Sequence, residues 1–285
     1  QGHTALPLDG DDAAACRASA LVGDGRATTP FVLDADDHFY FWRGHAAEVA
    51  VAEALATRVA AETTACDGDD AAIAALFDDD VRNAAQRQAV QAALTQRLVV
   101  LTGGPGTGKT TTVLRMLLAL QQRAATPLAI HLAAPTGKAA QRLQQAIVQG
   151  QAALSPRLDA SWRPALDAMS ALTASTLHRL LEFDPRHGRW RRNSEQPLAS
   201  DVVVIDEASM LDLDQMRALL AALPAHTRLI LVGDADQLAS IAAGAVLTDA
   251  VQALAASRSA SLVRLEHVFR ATPELGAAHA AIRQG

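Results

Sequence analysis

Short runs of aliphatic and β-branched residues alternate with longer stretches of helical spacing through most of this chain. Residues 98–102, 128–133, 202–205, 228–232 and 262–265 read as strands, and each is apolar almost without a break. A strand buried on both faces has no polar side to show, so runs of this kind separated by helices predict an α/β fold with a parallel sheet covered on both faces. The first of the helices, 110–123, places Val113, Leu114, Leu117 and Leu118 at helical spacing. Before residue 81 the pattern is weaker. PFVLDADDHFYFWR at 30–43 reads as two strands around a polar turn at Asp36 and Asp37, followed by an alanine-rich helix over 46–63. The acidic runs at 67–70 and 78–80 read as solvated surface, an exposed connection leading to a helix start. The organisation expected is a small N-terminal region over 1–80, an α/β domain over 81–268 and a short C-terminal element over 269–285.

Composition narrows this picture. Half of the 285 residues are hydrophobic and 20% are charged, enough apolar material for a sizeable core and too much for a disordered chain. The formal net charge of −6 excludes a wholly basic nucleic-acid coat protein. It leaves room for a nucleic-acid enzyme whose cations are confined to one groove. Aromatic residues make up only 4%, which argues against extended base-stacking platforms. No apolar run approaches the roughly 18 residues that a membrane span needs. Cys16 and Cys66 form no metal-ligand pattern and read as reduced thiols of a cytoplasmic protein. The chain opens Gln1-Gly2-His3 without Met, which reads as an internal start or a tag scar, and hence as a fragment of a longer protein.

The candidate chemistry sits where strands end. Gly103, Gly104, Pro105, Gly106, Thr107, Gly108, Lys109 and Thr110 form a complete G-x-x-x-x-G-K-[ST] run, with Thr111 beyond it, between a strand and a helix. Glycines let backbone N–H groups turn inward around an anion, and the helix N-terminus adds partial positive charge. Lys109 can reach the outer phosphates of ATP, and the Thr110 hydroxyl can hold Mg²⁺. The strand 202–205 delivers Asp206 and Glu207 at its C-terminal end. The first is suited to Mg²⁺ and the second to polarising a water. Gln237, in a Gly-Asp-Ala-Asp-Gln run, can sense the γ-phosphate. Thr136 and Lys138 follow the second strand and can take a nucleic-acid phosphate. Gln86, one helix before the phosphate loop, can read an adenine edge. Each of these last three also has an ordinary alternative: a turn, a helix cap, a solvated glutamine.

Together these residues resemble the superfamily 1 helicases of the RecD branch, the family that supplies the alpha subunit of exodeoxyribonuclease V. The likeness is carried by LTGGPGTGKTTTV at 101–113, APTGKAAQRL at 134–143, STLHRLL at 175–181, VVVIDEASMLDL at 202–213 and GDADQLASIAAGAVL at 233–247, with Arg270 beyond. The resemblance implies a RecA-like P-loop domain and an ATP-driven, Mg²⁺-dependent DNA helicase moving 5′ to 3′ on single-stranded DNA. It further implies the beta and gamma subunits, RecB and RecC, as partners in double-strand-break processing. On this footing Lys109, Asp206, Glu207, Gln237 and Arg270 are catalytic. Thr136, Lys138, Thr176 and His178 line the single-strand track. The chain is expected to hold the end of an N-terminal docking domain, one complete motor domain and the first residues of a second. Taken alone, such a piece should bind Mg·ATP and turn it over slowly.

Two further readings stay open. The basic segment 186–192 is either a nucleic-acid hairpin with a stacking Trp190 or a solvated turn with one aromatic anchor. Phe31, Phe39, Tyr40, Phe41 and Trp42 are either a small core or a partner surface. A small-molecule kinase or a nucleotide-binding scaffold would share the phosphate loop, and DNA-stimulated ATP hydrolysis separates a motor from both.

Overall fold

The computed structural model describes residues 4–61, 66–78, 80–235, 237 and 246–267. Near the N-terminus lies a small sheet of β1 (Ala5–Pro7), β2 (Val22–Gly23), β3 (Phe31–Leu33) and β4 (His38–Phe41), in the order β1-β4-β3-β2. Strands β3 and β4 pair antiparallel around the polar turn expected at Asp36 and Asp37. The turn is held by Asp34, whose carboxylate accepts the N–H groups of Asp36 and His38, both at 2.9 Å. Between β1 and β2 runs α1 (Gly10–Arg17), and α2 (Trp42–Ala60) leaves directly from β4. The aromatic end of the hairpin therefore becomes the first turn of the helix, four residues earlier than the alanine pattern indicates.

The main body is a wholly parallel six-stranded sheet. Its members are β5 (Leu98–Gly103), β6 (Ile130–Ala134), β7 (Ala174–Thr176), β10 (Val202–Ile205), β11 (Arg228–Gly233) and β12 (Leu262–Leu265), in the order β12-β5-β11-β10-β6-β7. Between β7 and β10 a small antiparallel hairpin is made by β8 (Phe183–Asp184) and β9 (Arg189–Trp190). Alternate residues of each sheet strand enter opposite cores. Val99, Leu101, Val202, Val204, Ile230 and Val232 pack with Leu114, Leu117, Leu143 and Ile147 on one face. Leu98, Val100, Val203, Ile205, Leu229 and Leu231 pack with Val51, Met216, Leu219 and Val251 on the other. The first face carries α3 (Asp69–Ala75), α4 (Ala84–Thr95), α5 (Lys109–Arg123), α6 (Gly137–Leu154) and α7 (Arg163–Ser170). The second carries α2, α9 (Leu213–Ala222) and α10 (Val246–Ala256). The short α8 (Leu177–Leu180) follows β7.

Three expectations are revised. The second strand begins at Ile130 rather than 128. Side chains hold the two residues before it, with Gln121 Oε1 accepting from Leu128 N at 2.9 Å and Asp201 Oδ2 from Ala129 N at 2.8 Å. The strand β7 was not read from the sequence, because Ala-Ser-Thr carries no apolar run. The acidic run at 67–70 is not all solvated surface: Asp69 is only 7% exposed, accepts the N–H of Cys66 at 2.9 Å and pairs with Arg123 at 3.5 Å. At the second acidic run, Asp80 caps the turn that leads into α4.

One buried cation ties α2 to the sheet layer. The Arg58 guanidinium, 6% exposed, donates to the carbonyls of Leu223 at 3.0 Å, Thr227 at 3.3 Å and Pro224 at 3.4 Å, just past the end of α9. Leu223 O lies at the helix end, where no helical N–H remains to reach it, and Pro224 O keeps the turn bond from Thr227 N at 3.1 Å, so a charged donor supplies what the helix end lacks. Arg58→Ala should therefore destabilise the chain by about 3 kcal/mol, read as a lower urea midpoint at unchanged slope. A change below about 0.5 kcal/mol, the level of an ordinary surface substitution, would show that α2 is held by its apolar face alone.

Candidate nucleotide site

The phosphate loop runs from the C-terminal end of β5 into α5. Its shape depends on glycine at defined positions. Gly106 and Gly108 have φ of 79° and 84°, the left-handed region that side chains disfavour. At Gly103 a Cβ would lie 2.4 Å from the carbonyl oxygen of Leu265 on the neighbouring strand. The loop closes on itself through Thr107 Oγ1, which donates to Gly104 O at 2.8 Å. Lys109 Nζ donates to Gly103 O at 2.6 Å and Gly104 O at 3.0 Å. The lysine is thus drawn back over the loop whose N–H groups would face an anion.

Across a cleft of about 820 Å³ from residues 105–111 stand Asp206 and Glu207, and Asn83, Gln86 and Arg115 border the same space. The two carboxylates follow the fully buried strand β10. Asp206 N donates to Ala133 O at 2.9 Å, continuing the ladder one residue past the strand. Glu207 then adopts φ 53°, ψ 39°, a left-handed conformation for a residue with a full side chain. Strain of that kind persists where surrounding structure enforces it, commonly at functional positions. Gly233, at the end of β11, makes room for the turn: a Cβ there would sit 3.2 Å from Ser209 N and 2.6 Å from a Leu247 methyl.

Burial pushes the Asp206 carboxyl from its ordinary 3.8 up to about 6. The adjacent Glu207 charge adds to the rise, while the Glu207 N–H and Lys109 oppose it. A divalent cation bound with a nucleotide would reverse this by favouring the carboxylate, and Asp206 and the Thr110 hydroxyl, which border the same cleft, are the oxygen donors that would hold Mg²⁺. Because the folded pKa exceeds the unfolded one, the stability contributed by protonated Asp206 is complete below about pH 4. It is lost as pH rises through about 6, to the extent of about 3 kcal/mol. In metal-free buffer Asp206→Asn should therefore be more stable than the parent chain at pH 7.5 and indistinguishable from it at pH 4. Urea titrations at the two pH values check this, and an equal gap at both would contradict it.

The other residues singled out from the sequence fall in three places. Gln86 is only 3% exposed yet borders the cleft, on α4 beside α5, with its Oε1 accepting a hydrogen bond from Arg115. Gln237 does not line the cleft. Its Oε1 accepts from Ser209 Oγ at 3.4 Å, two residues beyond Glu207. Arg270 lies outside the described residues. Thr136 and Thr176 follow or end the adjacent strands β6 and β7, where Ala134 and Thr176 are register partners. Each threonine caps a helix: Thr136 Oγ1 accepts from Ala139 N and Thr176 Oγ1 from Arg179 N, both at 3.2 Å. Lys138 sits in the first turn of α6. His178 packs into a ring cluster with Phe183 and Trp190, centroids 5.2 and 5.1 Å away, and Phe183 and Trp190 meet at 4.6 Å. Trp190 is thus engaged within the hairpin as an anchor. Sequence reasoning missed Arg115 and the α6 face of the cleft, Arg142, Gln145 and Gln149. A readable signal existed for Arg115: it is a cation inside the apolar run of α5.

No helix among the described residues is long and apolar enough to cross a membrane. The family model described as AAA domain matches residues 86–243. The "RecBCD enzyme subunit RecD" of Mycolicibacterium smegmatis is 48% identical over 206 residues, covering 70% of this chain and 35% of that protein. The "ATP-dependent RecD2 DNA helicase" of Deinococcus radiodurans is 38% identical over 186 residues, covering 64% of this chain and 21% of that protein. A solved structure of Pif1 helicases at forked double-stranded DNA aligns with a TM-score of 0.39 at 18% identity, covering 78% of this chain and 48% of that one. The chain spans about a third or less of the length of these curated relatives.

Proposed function

This chain belongs to the AAA domain family, and we propose that it is the ATP-binding motor domain of a RecD-type DNA helicase. Its work is to couple Mg·ATP hydrolysis to 5′-to-3′ movement along single-stranded DNA. The observation that carries the reading is the convergence of three distant segments on one cleft: Gln86, the loop residues 105–111, and the Asp206–Glu207 pair. Nucleotide phosphates fit the glycine cradle and Lys109. Mg²⁺ fits Thr110 and Asp206, and Glu207 is placed to polarise a water. Gln237, bonded to the Ser209 side chain, is suited to pass the state of that cleft to the turn after Glu207. Arg270 is assigned the cation that reaches the γ-phosphate.

The DNA track is assigned to the same C-terminal edge of the sheet, on β6 and β7, the two strands beyond β10. Thr136 with Lys138 follows β6, and Thr176 with His178 follows β7, so helix N-termini and hydroxyls gather where a phosphate backbone could run. Residues 81–268 are assigned as the motor, with α2 and α3 of the preceding region completing the cover of its sheet. Residues 1–80 form a docking region, supported by exposed apolar side chains on the small sheet, Phe41 at 70% and Leu6 at 60%. The partners assigned to it are RecB and RecC, in a cytoplasmic complex that processes double-strand breaks. The RecD2-type relative favours one other reading, a stand-alone helicase with the same motor.

The test is ATP turnover of the full-length protein with and without single-stranded DNA, together with co-purification of RecB and RecC. Stimulation by DNA is expected. Turnover indifferent to DNA would sink the motor reading, and stimulated turnover by a protein that assembles with neither subunit would favour the stand-alone one.

A further inference from the structure

Arg115 stands in α5 between Val113 and Leu114 on one side and Met116, Leu117 and Leu118 on the other, all of them buried. A cation in such a place is costly unless its guanidinium is engaged. It is engaged twice. Its terminal N–H donates to Gln86 Oε1, and its guanidinium lies 4.4 Å from the centre of the Phe77 ring. Arg87 covers the same ring at 5.3 Å. Arg115 Nε is buried without a partner, so the side chain is not placed to maximise its own hydrogen bonding. What its position does achieve is contact with the oxygen of one amide beside the nucleotide cleft.

An amide side chain carries a donor and an acceptor that exchange places when its end turns over. A fixed cation removes that freedom, because only the oxygen can face it. We infer that Arg115 is a positioning residue for base recognition, holding the Gln86 amide in the one orientation that suits adenine. The amide N–H₂ is then turned away from Arg115 to serve purine N7, and the second lone pair of Oε1 is left for the 6-amino group. Guanine shows two acceptors, N7 and O6, along that edge, so the held carbonyl oxygen opposes O6. Arg115 thereby sets preference for ATP over GTP without touching the base. This inference rests on the reading of the cleft as an adenosine-nucleotide site.

The experiment titrates the 285-residue chain with fluorescently labelled ATP and GTP in Mg²⁺, and with inorganic tripolyphosphate as competitor. The parent chain should prefer ATP. Arg115→Met keeps an apolar stem against Phe77 but has no donor. It should weaken ATP by about tenfold, leave GTP within about twofold and leave tripolyphosphate unchanged. Arg115→Lys restores a donor and should recover most of the preference, and it serves alone if the methionine variant does not fold. An unchanged ATP-to-GTP ratio in folded Arg115→Met, or a lysine variant with no preference, would overturn the role of Arg115. A merely structural role would lower stability, or all three affinities together, without moving the ratio, and that result also counts against it. A parent chain that binds ATP and GTP equally would instead remove the adenine reading of Gln86 on which the inference stands.

Discussion

Lys109→Ala should abolish measurable binding of Mg·ATP and Mg·ADP, a loss of about 100-fold or more. The ammonium already sits within the loop, bonded to the carbonyls of Gly103 and Gly104. It is therefore ordered beside the space where phosphate charge would lie, and little entropy remains to be lost on binding. Charge-assisted hydrogen bonds contribute about 1.5–3 kcal/mol each, so two of them to the outer phosphates account for a loss of that size. Alanine also removes the ammonium from Gly103 O and leaves Gly104 O with the Thr107 hydroxyl alone, which loosens the loop itself. Titration with a fluorescent ADP derivative reads the effect, and an affinity within threefold of the parent chain would show that the glycine cradle binds phosphate by its backbone alone.

The second large effect separates binding from chemistry. Glu207→Gln should leave Mg·ATP affinity within about threefold and lower single-turnover hydrolysis by about 10²–10⁴, the usual loss when a general base is removed. The substitution conserves shape, so the left-handed turn at 207 and the position of Asp206 are preserved. What disappears is the carboxylate proposed as the proton acceptor. Single-turnover measurement over hours is the suitable readout, because the cations from across a motor cleft that speed the step contribute on the order of 10³–10⁵ by themselves. Unchanged turnover in the glutamine variant would assign the water to another group.

Much of this site is legible in the chain because its parts are local. The phosphate loop is one contiguous run, and its glycine requirement at Gly106 and Gly108 follows from two backbone angles. The strands β5, β10 and β11 announce themselves because a parallel strand buried on both faces must be apolar throughout. Thr136 was readable as a cap for the same reason, the N–H it accepts lying three residues away on Ala139. What could not be read depends on partners far along the chain. Arg58 finds its carbonyls 165 to 169 residues later, and nothing near it in sequence says that it is buried. Asp69 looks like one of several solvated acids until Arg123 is brought beside it. Strand β7 is three small or polar residues at a sheet edge, with no periodicity to betray it. Arg115 lies between these extremes: its position in an apolar helix marks it as unusual, yet only the packing of α4 on α5 shows that the group it serves is Gln86.

Gln86, the loop residues 105–111 and the Asp206–Glu207 pair are proposed to act on one nucleotide. Amide hydrogen exchange of the 285-residue chain, with and without Mg·ADP, tests this proposal most directly. Slowed exchange is expected in the loop 104–111, in the first turn of α4 around Gln86 and at Asp206–Glu207 together, all three lost in Lys109→Ala, with the hairpin at 183–190 unaffected. Protection confined to the loop, or none at all, would contradict it.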